Sequence, residues 1–169
     1  MNQSFETQVR IAIRALSDVI APALAGADKH VVEQLQLTIA TLGFVADRIP
    51  EATRFARLEL SSCLALAERA RAIVQPSLPA ESEALAAGIS VGEEVLALCV
   101  RDAADCEAAS RHLREQLAAL VATTHGSPCE RDVTAAILDG SEAMLAQARL
   151  WALPFGFELT PEALPVPAW

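Results

Sequence analysis

The sequence predicts an all-α protein: an up-and-down antiparallel helical bundle of five long or medium helices plus a short helix, with an extended, aromatic and Pro-rich C-terminal tail packed on it. Three observations predict this. Of 169 residues, 34 are Ala and 22 are Leu, while Tyr is absent; Ala and Leu lose little side-chain freedom in a helix. Apolar residues recur at three- and four-residue steps in window after window, the period of an amphipathic helix. Pro and Gly punctuate the pattern at intervals that leave only short connections, and short connections make neighbouring helices antiparallel.

The first helix is expected over residues 4–24. Phe5, Val9, Ile13, Leu16, Ile20 and Leu24 draw one apolar stripe, with Glu6, Arg10, Arg14, Ser17 and Asp18 on the wet side. Ile11 falls off that stripe. Pro22 and Gly26 break the helix. The second helix, 28–49, is apolar on two sides. Val32, Leu35, Ile39, Leu42 and Ala46 form one face, and Leu37 and Phe44 point nearly the opposite way. A helix of that kind must be covered twice, by the rest of the bundle or by a second subunit.

Pro50 suits the first turn of a third helix, 50–75. It buries Phe55, Cys63, Leu66, Ala67, Ala70, Ile73 and Val74, and Arg54, Arg57, Glu68, Arg69 and Arg71 lie outside. A short helix over 80–87 ends at Gly88. Ser90 and Glu93 have the spacing of a capping box, from which a helix of about 50 Å is expected over 90–123. Its stripe runs Val91, Val95, Leu98, Asp102, Cys106, Ala109, Leu113, Leu117 and Leu120. Ser127 and Pro128 cap a last helix to residue 153, burying Val133, Ile137, Met144, Ala148 and Trp151. Gly140 on that stripe costs about 1 kcal/mol against Ala, which the close approach of a neighbouring helix would offset.

The organisation expected is one bundle, 1–153, and a tail, 154–169. The final stretch from Trp151 holds four of the seven aromatic side chains and four of the nine prolines. Disordered tails are poor in aromatics and rich in charge, so this one is expected to lie on the bundle or on a partner subunit. Phe155, Phe157 and Leu159 alternate as in an extended segment, Thr160-Pro161-Glu162 can start a single turn, and Pro165 and Pro167 hold the end extended.

Charge and hydropathy exclude several classes. The net charge is −9, and Lys29 is the one lysine among thirteen basic residues, so neither nucleic acid nor an anionic membrane surface is expected as a partner. The longest run without Asp, Glu, Lys or Arg is residues 116–129, too short and too polar to span a bilayer. The start, "MNQSFETQVR", has no basic region followed by an apolar stretch, and a cytoplasmic location is expected. Cys63, Cys99, Cys106 and Cys129 form no C-x-x-C pair. Cys99 and Cys106, seven apart on one expected helix, are too distant for a disulfide, so the four read as buried free thiols.

The residues that could carry chemistry are few. Asp102 stands on an apolar stripe one turn from Cys106; a carboxylate there would take a partner or a raised pKa. Asp102 and Cys106 are therefore the candidate ligand-binding residues. His30 with Glu33 and His112 with Glu115 share faces at three-residue spacing, but di-metal bundles place Glu before His and add Glu residues from two further helices. No metal site, cofactor or catalytic set is assigned, since no G-x-S-x-G, Walker loop, dinucleotide fingerprint or H-E-x-x-H occurs. Ser61-Ser62-Cys63, in mid-helix, reads as close helix packing, and the Arg-rich face of the third helix as a solvated, ion-paired face. The expected function is a non-catalytic protein-interaction module acting as a homodimer through the second helix or the tail. The alternatives are a small-molecule or acyl-chain binder with a pocket near Asp102, and a metal-dependent bundle enzyme.

Overall fold

Ser4 opens the first helix as its N-cap, its hydroxyl accepting the Thr7 N–H at 3.2 Å. The computed structural model describes residues 4–98 and 102–169. Over them the chain is all-α: α1 (Phe5–Ala15), α2 (Ala21–Ala23), α3 (Lys29–Arg48), α4 (Ala52–Val74), α5 (Pro79–Ala97), α6 (Ala103–Thr124) and α7 (Glu130–Trp151). Short 3-10 turns lie at Ile49–Glu51, Leu153–Phe155 and Pro161–Ala163. The contacts fall into two compact units, Met1–Glu51 with Trp151–Pro161, and Ala52–Leu150 with Glu162–Trp169. This division differs from the expected single bundle with a separate tail, because α1 and α3 pack on each other and the tail is shared between the units.

In the first unit α1 and α3 form a helical hairpin. The path from α1 to α2 stays helical through a π turn, Leu16–Ile20. Pro22 cannot donate to residue 18, and its ring crowds that carbonyl; widening the preceding turn relieves both problems. The extra residue shifts the inward face by one position. Ser17 and Ala21 become half-buried, while Ile20, expected on the buried stripe, is exposed. Arg10 ties the hairpin at the surface, pairing with Glu6 at 2.9 Å and Asp47 at 3.1 Å.

The second face of α3 is covered at one end. Phe155 stacks on Phe44 with ring centres 4.2 Å apart, and Trp151 meets Phe44 edge-on at 6.4 Å. The segment after Pro154 is a 3-10 turn stopped by Gly156 at φ 75°, a left-handed conformation that glycine adopts without strain. The expected extended alternation is therefore absent there, and Phe157 and Leu159 are exposed. Leu37, two turns before Phe44 on the same face, is also uncovered.

In the second unit α4, α5 and α6 pack mutually around Leu60, Cys63, Leu85, Cys106 and Leu113. The expected helix over 90–123 is two helices. Leu98 (φ −88°, ψ 109°) and Asp102 (φ −85°, ψ 179°) are extended, so α5 and α6 are separate; Cys99 lies outside the described residues. Upstream, α5 runs through Gly88 and Ser90, so Gly88 is no stop and Ser90 no cap. Its buried face is Ser82, Leu85, Gly88, Ile89 and Gly92, and Val91 and Leu98 are exposed. Two positions on the inside of α5 are glycine where its neighbours come close. A Cβ on Gly92 would stand 2.9 Å from Leu64 Cδ2, and one on Gly88 would collide with Gln116 Oε1.

Helix α7 buries Val133, Ala136 and Leu150, with Ile137 and Met144 half-buried and Ala148, against expectation, exposed. Close approach at Gly140 is as expected, since a Cβ there would lie 2.6 Å from Leu66 Cδ1. Glu130 fixes the turn before α7: its carboxylate accepts the Gly126 N–H at 2.8 Å and lies 3.0 Å from His125 Nδ1. The chain ends along this unit, with Trp169 edge-on to Phe55 at 5.2 Å.

Candidate functional site

Asp102 and Cys106, one turn apart in sequence, have opposite environments. Asp102 is exposed and serves as the N-cap of α6, its Oδ1 accepting the Asp105 N–H at 3.0 Å. A capping carboxylate satisfies one free N–H and the positive end of the helix dipole, which accounts for an acid at this position without a buried partner. The D-x-x-D spacing was the signal for it. Cys106 is wholly buried, and that burial pushes its thiol pKa up, opposed by the charge of Arg57. Arg57 itself faces inward enough to donate to the Leu96 carbonyl at 2.6 Å, capping the C-terminal end of α5 rather than lying on a purely solvated face.

His30 and Glu33 belong to the first unit, His112 and Glu115 to the second, and all four are exposed. Glu33 pairs instead with Lys29 at 3.4 Å. Among the described residues no three His, Cys, Asp or Glu side chains converge as metal ligands. In the Ser61-Ser62-Cys63 run, Ser62 donates to the Leu58 carbonyl at 3.0 Å and Cys63 is buried in the core.

Two features remain. The first is the surface of the hairpin unit. The stripes of α1 and α3 face each other, yet Val9, Ile13, Leu35 and Ile39 stay half-exposed, and Ala46 is the one fully buried residue described in α1–α3. Ile11, Val19, Val31 and Leu37 are exposed outright, and a shallow groove runs along α3 between Val32, Leu37 and Ala40. Two helices share only one seam, so a hairpin apolar on several sides leaves much of its apolar surface in water.

The second feature is a groove of about 220 Å³ in the other unit, between α4, α6 and α7. Leu66, Leu117, Val121, Ile137 and Met144 form its walls, and Cys63 and Arg114 also line it. Arg114 is 3.5 Å from Glu59. Sequence reading missed this groove because its residues come from three helices and carry no motif.

No protein-family model, curated protein or solved structure matches the chain. Among the described residues no helix is long and apolar enough to cross a membrane.

Proposed function

We propose that this protein is a non-catalytic interaction module that self-associates as a homodimer through its α1–α3 hairpin, with the uncovered face of α3 around Leu37 at the contact. One observation carries the reading: the hairpin exposes Ile11, Val19, Val31 and Leu37 while hiding little more than Ala46. Full burial of one such side chain stabilises by about 1.5–3 kcal/mol, and a two-fold axis would count each of them twice. The exposed rings and side chains of Phe157 and Leu159 add apolar surface to the same unit. A reducing, cytoplasmic setting goes with the proposal, since Cys63, Cys106 and Cys129 are buried free thiols.

Sedimentation velocity on the wild-type chain and on Leu37→Asp tests it. A wild-type dimer in the micromolar range, and a Leu37→Asp monomer with unchanged helix content by circular dichroism, is the expected result. A wild-type monomer throughout that range, or a Leu37→Asp dimer as tight as the wild type, overturns it.

A further inference from the structure

We infer that the face of α4 and α7 beneath the C-terminal segment is a peptide-docking surface for one occupant, the strap Glu162–Trp169 with Trp169 as its anchor, held in place by the chain's own strap and open to the same strap of a second copy. The inference does not rest on the hairpin contact, since every residue it uses belongs to the other unit.

The strap lies on the helices as a bound peptide does. After the 3-10 turn Pro161–Ala163 it carries no helix, and Pro165 and Pro167 have a fixed φ and no N–H to donate. A segment of this kind is already close to its bound form, which is why peptide-recognition surfaces favour it. Its last residue reaches back to α4: the Trp169 indole stands edge-on to Phe55 at 5.2 Å and is half-buried. A large, rigid ring on an otherwise exposed segment is the form that binding anchors take. One residue earlier, the Ala168 N–H donates to Gln147 Oε1 on α7 at 3.4 Å, long for such a bond.

Between the turn and the anchor the strap crosses the surface without filling it. Ala163, Pro165 and Ala168 line one side of an open groove of about 630 Å³, and Leu58 of α4 with Ala143 and Ala146 of α7 line the other. Val166 is 85% exposed. Lifting the strap therefore uncovers little apolar surface beyond the Trp169 ring, and segments with few buried contacts open at a small fraction of the cost of global unfolding. The same contacts form whether the strap comes from its own chain or from a second copy, so exchange changes the source and leaves the surface as it is. Proximity favours the chain's own strap, which competes at an effective concentration on the order of millimolar.

Fluorescence anisotropy with a labelled peptide of residues 160–169, TPEALPVPAW, tests the surface on full-length chains. It reads peptide uptake and not oligomeric state, so its outcome is separate from that of the hairpin reading. Trp169→Ala, folded by circular dichroism, is expected to take up one peptide per chain at least tenfold more tightly than the wild type, whose own strap competes. Pro165→Gly with Pro167→Gly loosens the strap by a second route and should also bind more tightly than the wild type. Phe55→Ala added to Trp169→Ala should weaken uptake at least tenfold. The inference is overturned if neither opened chain binds the peptide, if the wild type binds it as tightly as Trp169→Ala does, or if the same peptide in scrambled order binds as well.

Discussion

Arg48 donates its Nε–H to the main-chain carbonyl of Trp151 at 2.8 Å and sets its guanidinium 5.0 Å from the centre of the same residue's ring. One side chain of α3 thus caps the end of α7 and covers its terminal indole. Trp151 in turn meets Phe44, on which Phe155 stacks, so the packing of the first part of the tail runs through this contact. Arg48→Met keeps the stem but loses the charged hydrogen bond and the ring contact. It is expected to destabilise the chain by about 1–3 kcal/mol. Urea unfolding followed by Trp151 fluorescence in a Trp169→Phe background measures it; an unchanged midpoint would show the contact to be idle.

The glycines of α5 separate two kinds of close approach. At Gly88 a methyl group meets only the end of the Gln116 side chain, which can swing out at the cost of its hydrogen bond to the Ala84 carbonyl (3.1 Å). That loss of about 1 kcal/mol cancels the helix-propensity gain of about 1 kcal/mol, so Gly88→Ala should be near neutral. In a Gln116→Ala background the same change should stabilise by about 1 kcal/mol. At Gly92 the obstacle is Leu64 with Leu60 behind it, both in the packed core, and Gly92→Ala should destabilise by about 1–2 kcal/mol once the propensity gain is subtracted. Thermal melts of the four variants decide; equal effects at both glycines would contradict this distinction.

The turn before α7 has a pH signature. The Gly126 N–H first, and His125 second, hold the Glu130 carboxyl pKa below its ordinary value of 4.5. A folded-state pKa below the unfolded one means that the unfolded chain binds the proton more readily. The contribution of Glu130 is therefore fully present above the ordinary carboxylate range and lost as pH falls through the lower folded value. The melting-temperature gap between wild type and Glu130→Gln should shrink as pH falls from about 5 through the lowered folded value and close once Glu130 is protonated. A gap that widened below about pH 5 would refute the assignment.

Burial, the largest cause in each case, raises the thiol pKa values of Cys63 and Cys106. Brief iodoacetamide treatment of the native protein near neutral pH should leave both unmodified, while the urea-unfolded chain reacts at both. Peptide mapping by mass spectrometry reads this directly. Alkylation of native Cys63 or Cys106 at the rate of an exposed thiol would be incompatible with their enclosure.

The buried faces of α4 and α6 were legible in the sequence, where apolar side chains recur at helical spacing. Cys63, Leu66, Ala67, Ala70 and Val74 on α4, and Leu113, Leu117 and Leu120 on α6, lie inside as their spacing implies. On α5 three of the inward residues, Ser82, Gly88 and Gly92, are small or polar beside Leu85 and Ile89, and Val91 and Leu98, on the expected apolar stripe, face water. Asp102 completed an apolar rhythm by coincidence, and its capping role outranked that rhythm. The groove beside Arg114 was invisible because nothing in a linear pattern tells which residues of three helices will share one space.

The π turn at Leu16–Ile20 reaches beyond local geometry. By inserting a single residue it turns Ile20 out beside Val19, and both β-branched side chains then stand in water. Part of the apolar exposure of this hairpin is therefore written by backbone phase and not by amino-acid content. Shortening the turn by one residue would let Ile20 swing back against α3, leaving a better-sealed hairpin with less apolar surface in water.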